Sequence, residues 1–167
     1  MVLYIDILNC KMARPKSITI QWSRPVLWEE MTRSPRIESG PGVYAITRTF
    51  GGNITLLYIG ETKRQNFQIR MDEHIRDHKN GYEDFLFRYR GKKYIRFGAI
   101  EGLDCYDDLT KKRILRNVET HLIWTLNPIA NIKQRNTSTI WKQLYISHRG
   151  WAWAYSRTPQ LNTDYII

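Results

Sequence analysis

The sequence predicts an α+β fold built on a small sheet. Two strand-like segments are joined by Gly51-Gly52-Asn53, a turn composition typical of a β-hairpin. Helical and strand-like patterns then follow in turn, which indicates helices packed on that sheet. The 167 residues, 42% hydrophobic and 13% aromatic, suffice for one packed core and exclude a disordered polycation.

Each element follows from a local pattern. Alternating or β-rich segments predict strands, and apolar residues at helical spacing predict helices. The predicted strands cover 17–22, 43–50, 54–59 and 94–100. The predicted helices cover 26–33, 66–79, 83–89 and 107–126. The first helix follows Pro25, and the last has Asp107 and Asp108 at its positive N-terminal end and Pro128 beyond its finish.

The charge of the chain predicts a polyanionic partner. Lys and Arg number 26 against 16 Asp and Glu, a net charge of +10. On a folded body this excess favours nucleic acid. No apolar run approaches the ~20 residues that a membrane helix needs, so we expect no membrane partner. Cys10 and Cys105 form neither a CxxC pair nor a disulfide framework, which suits a cytoplasmic protein.

Two clusters of cations are candidate nucleic-acid contacts. The segment 133–167 contains five basic residues and one acid, interleaved with tryptophans and tyrosines. We expect its cations to track phosphates, although its aromatic residues can equally complete the core. The alternative surface is formed by the middle region, including the cations of 88–96. The candidate binding residues are Lys142, Arg149, Arg157, Lys111, Lys112 and Arg113.

Two pairs of polar residues are candidates for chemistry. Tyr44 and Tyr58 lie on the two hairpin strands, where they can present two phenols on one side, although tyrosine is also a common strand residue. Arg70 and His74 are spaced i, i+4 on the predicted helix 66–79 and project together. The guanidinium fork of Arg70 suits a phosphate. The alternative is a solvated face with acidic partners at Asp72, Glu73 and Asp77.

The predicted long helix and its exit add two more candidates. Glu119 has Leu115, Leu122 and Ile123 at helical spacing and so borders an apolar face. A carboxylate there costs free energy unless a cation balances it, either Arg116 or a hard metal ion such as Mg²⁺. Asn131 follows Pro128 at the helix exit, where such residues are also ordinary turn formers.

These residues, in this order, resemble the GIY-YIG nuclease family. Gly42-Val43-Tyr44 is similar to the GIY motif, and Tyr58-Ile59-Gly60 reproduces YIG. Arg70, His74, Glu119 and Asn131 match the helical arginine, the following histidine, the metal-binding glutamate and the closing asparagine. The resemblance covers 42–132. The chain departs from the excision-repair branch, which has a lysine directly after YIG, whereas here Glu61 follows and Lys63 comes two places later.

The resemblance implies a three-stranded antiparallel sheet flanked by helices and a catalytic site that cuts phosphodiesters. Its nuclease module would span 42–132, with an N-terminal extension over 1–41 packed on the core and a C-terminal basic, aromatic extension over 133–167. The implied cofactor is one Mg²⁺ or Mn²⁺ ion per site, held by Glu119. The implied catalytic residues are Tyr44, Tyr58, Lys63, Arg70, His74, Glu119 and Asn131, with His78 a further candidate by proximity.

The implied function is metal-dependent endonuclease cleavage of DNA, most naturally double-stranded. Its small size favours a restriction, phage or mobile-element enzyme, and a DNA repair nuclease is an alternative. A nucleic-acid-binding module without turnover and a basic protein-interaction domain are the rivals from other classes. With one active centre per domain, cutting both strands requires a homodimer, two visits or a nicked product.

Overall fold

A six-stranded, mostly antiparallel sheet forms the centre of the α+β fold. The computed structural model describes residues 17–33, 40–62, 67–79, 88–131 and 144–150. The strands are β1 Ser17–Trp22, β2 Val26–Leu27, β3 Gly42–Phe50, β4 Asn53–Thr62, β5 Lys92–Ile100 and β6 Tyr145–Gly150. The helices are α1 Phe67–Lys79 and α2 Asp108–Leu126, with short 3₁₀ helices at Trp28–Arg33 and Leu103–Cys105.

The hairpin predicted from the glycine turn is present. β3 and β4 pair in antiparallel fashion up to Phe50 and Asn53. The two residues between them, Gly51 and Gly52, have φ of 58° and 79°. A two-residue hairpin turn with positive φ at both positions strongly favours glycine, because a side chain there is strained. The turn therefore fixes the register of the two strands that carry Tyr44 and Tyr58.

The sheet is larger than the three strands expected. Its order is β4-β3-β5-β1-β6, with β2 also paired to β5. The antiparallel trio β4-β3-β5 exists, but β5 has a second edge where Ile20 of β1 pairs with Ile100. β6 then pairs with β1 in parallel. β1 alternates buried and more exposed residues, which suits a strand at this position, and β6 pairs with its other edge. The flanking segments therefore contribute strands to the same sheet.

The helix predicted over 26–33 is only partly correct. Val26 and Leu27 form a short strand opposite Ile95 and Tyr94, and a 3₁₀ helix begins at Trp28. Pairing with β5 holds Val26 and Leu27 extended. The prediction for 83–89 falls mainly outside the described residues.

The two helices cover opposite faces of the sheet. α1 contributes Phe67 and Met71 to a core with Ile46, Ile95 and other residues of the central strands. α2 contributes its own apolar stripe to a second core on the other face. Its N-terminus is capped by Asp107, which accepts a hydrogen bond from the Thr110 backbone N–H at 2.9 Å. Within the described part of the chain, neither helix is long and apolar enough to cross a membrane.

Candidate active site

Tyr44 lies at the centre of the candidate site, where a glycine on the neighbouring strand makes room for it. β3 places Tyr44 opposite Gly60 of β4, and the Tyr44 ring is fully buried. A Cβ added at Gly60 would lie 2.3 Å from both Cζ and Oη of Tyr44. No side chain fits at that distance, so the phenol lies directly against the β4 backbone. The glycine of the Tyr58-Ile59-Gly60 motif thus has a steric reason.

Tyr58 lies on the Tyr44 side of the sheet by ordinary strand alternation, two residues before Gly60, and a bulge in β4 follows directly beside it. The pairing shifts between Ile46, opposite Tyr58, and Thr47, opposite Leu56, so Leu57 is the extra residue. As a result, both Leu57 and Tyr58 pack on the α1 side of the sheet. Bulges commonly re-aim side chains beside functional sites. Here the bulge turns Leu57 to the α1 side, into the same core as the two tyrosines.

His74 of α1 completes a cluster of three rings. Its ring centroid lies 5.6 Å from that of Tyr44 and 5.7 Å from that of Tyr58, both edge-on, and the two tyrosine centroids are 6.0 Å apart. His74 is fully buried. Its Nε2 and the Tyr44 hydroxyl share a hydrogen bond of 2.5 Å. The structure therefore brings together three of the predicted site residues from three different elements.

The environment keeps the Tyr44 hydroxyl protonated. Burial raises the pKa of Tyr44 well above its ordinary value, and the neighbouring Tyr58 raises it further. The Arg70 guanidinium beside the ring opposes this rise, whereas Glu119 adds to it. Tyr44 is thus a neutral phenol at neutral pH in the metal-free protein. Any role as a base requires a partner that takes its proton.

Arg70 is the cation of this cluster. Its Nη1 donates to Oε2 of Glu73 at 2.8 Å, one turn along α1. Burial works to lower the pKa of Arg70, but the Tyr44 oxygen and the Glu73 carboxylate outweigh it and raise the pKa overall. The side chain is 28% exposed. Arg70 is therefore a fixed positive charge between the buried tyrosine and solvent, and Glu73 is its partner, as the solvated-face alternative anticipated.

Glu119 reaches the same region from the opposite helix. It lies buried on α2, whereas Arg116, the cation considered as its structural partner, is exposed. Its charge is close enough to Tyr44 to raise the pKa of the phenol. Among the described residues, no group of three or more His, Cys, Asp or Glu side chains is placed to share a metal ion. Glu119, the predicted metal ligand, is therefore a buried carboxylate whose charge acts on Tyr44.

Asn131 fastens the exit of α2 to the edge of the sheet. Its Oδ1 accepts from the Ile59 backbone N–H, and its Nδ2 donates to the Ile59 carbonyl, both at 2.8 Å. Ala130 continues the contact by donating its N–H to the Leu57 carbonyl at 2.9 Å. The side chain thus imitates a β-strand partner beside Tyr58 and Gly60. Both side-chain bonds of Asn131 go to the Ile59 backbone, so Asn131 holds β4 in place and makes no hydrogen bond to the three rings in this way.

The remaining candidates are spread over the surface or fall outside the described residues. Lys63, Lys142 and Arg157 lie outside them, as does the side chain of His78. Lys111 contacts Asp104 at 3.8 Å, and Arg149 contacts Glu101 at 3.3 Å. Lys112 is half-buried and Arg113 exposed on α2. The three cations on α2 lie outside the ring cluster, so any contact they make with a nucleic acid is separate from it.

Two features of the site were not predicted from the sequence. The bulge at Leu57 depends on the pairing of β4 with β3, which a local sequence pattern does not predict. The hydrogen bond between Tyr44 and His74 can be predicted only if α1 is known to pack on the Tyr44 face of the sheet. The sequence does contain a signal for His74: Phe67, Met71, His74 and Ile75 lie on one side of a helix, which predicts that His74 faces the core with them.

No protein-family model, curated protein or solved structure matches this chain.

Proposed function

We propose that the chain is a divalent-metal-dependent endonuclease of the GIY-YIG type that hydrolyses DNA phosphodiester bonds. The observation that carries the proposal is the buried contact of Tyr44 with His74 beside Arg70, in a cluster that also contains Tyr58. These residues come from β3, β4 and α1, three elements that the sequence separates and the fold brings together. The role we propose for the chain is that of a restriction, phage or mobile-element enzyme.

The donor set suits a hard metal ion. Mg²⁺ is commonly held by one or two carboxylates together with waters and phosphate oxygens. Glu119 offers such an oxygen donor at a buried position whose charge is felt by Tyr44. Glu119 would hold Mg²⁺ or Mn²⁺ with the substrate phosphate. When bound, the ion would supply Lewis-acid stabilisation of the oxygen that leaves.

The bond between Tyr44 and His74 suggests a route for the proton of the attacking water. Because burial raises the pKa of Tyr44, a free phenolate does not accumulate. The hydroxyl, however, shares its hydrogen bond with Nε2 of His74. Tyr44 would take a proton from water while its own proton passes to Nε2 of His74, so that the two transfers balance. This route gives a protonated tyrosine a role as the base.

Arg70 would hold the phosphate during the reaction. Negative charge develops on the phosphate oxygens as water attacks, and a cation already in place stabilises that charge without reorganising. The bond to Glu73 keeps the guanidinium oriented. Asn131 would act indirectly, by fixing β4 beside Tyr58.

A DNA-binding module without turnover is the second candidate. The raised pKa of Tyr44 favours it, because a buried neutral phenol alone is a poor base. The two candidates differ in one measurable property: the binding module binds DNA without cleaving it, whereas the nuclease cleaves it.

Supercoiled plasmid, incubated with Mg²⁺, with Mn²⁺ or with EDTA, tests the proposal. We expect nicked or linear product with either metal and none with EDTA. Glu119→Gln should abolish cleavage while its DNA affinity stays within about threefold of wild type, since the basic surface supplies that affinity. Asp108→Asn makes the same charge change on the same helix at an exposed position and should cut normally.

Two results would contradict the proposal. Cleavage by Glu119→Gln within a few-fold of wild type would remove Glu119 from the metal site. Binding without any cleavage by wild type, with either metal, would favour the binding module.

A further inference from the structure

The far end of the β3–β4 hairpin combines exposed apolar residues with cations. We call this surface the hairpin-end patch. It consists of side chains from the hairpin tip and from the start of β5, which lies alongside. Its members are Arg48, Phe50, Ile54, Tyr89, Arg90 and Lys92.

Two large apolar side chains project at the tip of the hairpin. Phe50 is 55% exposed and Ile54 is 47% exposed. They flank the two-glycine turn, where Ile54 pairs with Thr49 and Phe50 with Asn53, so the two side chains project from opposite faces of the hairpin tip. Leaving two large apolar side chains exposed at one tip does not contribute to stability through burial. A binding partner gives the exposure a reason.

Cations surround this apolar tip at positions fixed by the sheet. The register of β3 with β5 sets Thr49 opposite Lys92. The Arg48 Nη1 donates to the Arg90 carbonyl at 3.4 Å, and its guanidinium lies over the Tyr89 ring, 5.2 Å from the centroid. Arg90 and Lys92 themselves are exposed. The patch therefore presents positive charge on a rigid strand end.

We propose that the hairpin-end patch is a second contact surface for double-helical DNA, a proposal that rests on the proposed function and extends it. The hairpin tip would enter a groove with Phe50 on one of its faces and Ile54 on the other, each against sugars and bases, and Arg90 and Lys92 would bind backbone phosphates. Cations that position a duplex and apolar wedges in its groove form a recurrent combination in DNA-binding proteins.

The position of the patch fits a duplex that extends away from the catalytic cluster. Tyr44 and Phe50 are six residues apart on one strand, so about 20 Å separates them at the usual rise of a strand. That distance corresponds to about six base pairs of a duplex. A duplex of about six or more base pairs is therefore long enough to span the distance from the Tyr44 cluster to the hairpin tip.

A membrane surface fits the patch less well than DNA. Anionic lipids also attract cations beside apolar groups, but stable attachment needs a larger apolar face than two side chains supply. The same argument applies to a stable protein interface, which buries some 20 to 30 residues on each side.

Fluorescence anisotropy of a labelled 20-base-pair duplex in EDTA tests this proposal on the full chain without any cleavage. Arg90→Gln should reduce the slope of log affinity against log salt by about one unit. Phe50→Ser should weaken binding about tenfold at constant salt with little change in slope, the scale of a lost contact with a base. Ile54→Ser and Lys92→Gln repeat each measurement at an independent position.

Matched substitutions elsewhere provide the controls. Arg76→Gln makes the same charge change at a side chain 67% exposed on α1, beside Asp77. Leu109→Ser removes an apolar side chain 59% exposed on α2. Both should bind as wild type.

The outcomes separate this proposal from the proposed function. Equal effects of patch and control variants, or no effect of either, would overturn the patch. Binding to anionic vesicles that depends on Phe50, without duplex binding, would overturn it as well. Duplex binding that depends on the patch, in a protein that never cuts DNA, would support the patch and contradict the nuclease.

Discussion

Tyr44, Arg70 and Glu73 form a chain of charge and hydrogen bonding from the buried ring cluster to solvent. Arg70 lies between a neutral phenol and a carboxylate, so its orientation is determined from both sides. A planar guanidinium held in this way loses little conformational entropy when it meets a phosphate. Glu73 is accordingly a positioning residue for Arg70.

Glu73→Gln should lower the cleavage rate about tenfold, because a charge-assisted hydrogen bond becomes a neutral one, a difference of about 1–1.5 kcal/mol. Metal-free DNA affinity should not fall, since a negative charge is removed. Asp77→Asn removes a carboxylate from the same helix, 3.9 Å from Arg76, and is the control. Single-turnover rates beside anisotropy binding would distinguish the two effects. An unchanged or faster rate for Glu73→Gln would show that the carboxylate does not orient Arg70 for catalysis.

The elements show which parts of the structure a sequence can predict. The hairpin, β1, β5, α1 and α2 follow from alternation, from a two-glycine turn and from helical periodicity, which are local signals. The parallel pairing of β6 with β1 and the bulge at Leu57 depend on contacts between distant segments. The candidate site divides similarly: residue types and order indicated its members, whereas the bond of Tyr44 to His74 required the packing of α1.

Asn131 provides the test at this scale, because it joins the α2 exit to β4. Asn131→Ala leaves the buried N–H and carbonyl of Ile59 without these two partners, which should lower the free energy of unfolding by about 2–4 kcal/mol. Asn117→Ala, on the more accessible side of α2, should cost under about 1 kcal/mol. Urea denaturation followed by circular dichroism measures both. Equal stability of the two variants would mean that Asn131 does not hold the sheet edge.

Over the whole molecule, one sheet unites segments that the sequence divided into a module and two extensions. β1 and β2 come from 1–41, β3 to β5 from the middle region, and β6 from 133–167. The strand that carries Tyr44 is therefore flanked on both sides and packed on both faces, which holds the phenol in place. The chain as a whole carries a net charge of +10, which favours an anionic partner.

The central claim is that this buried cluster hydrolyses DNA, and Tyr44→Phe tests it by removing one oxygen. The measurement is the rate of plasmid nicking in Mg²⁺ by wild type and by Tyr44→Phe, with thermal melts of both proteins. We predict nicking by wild type, a rate at least about 100-fold lower for the variant, and melts close enough to show that both are folded. Equal nicking rates, or a rate lost only because the variant unfolds, would contradict the account.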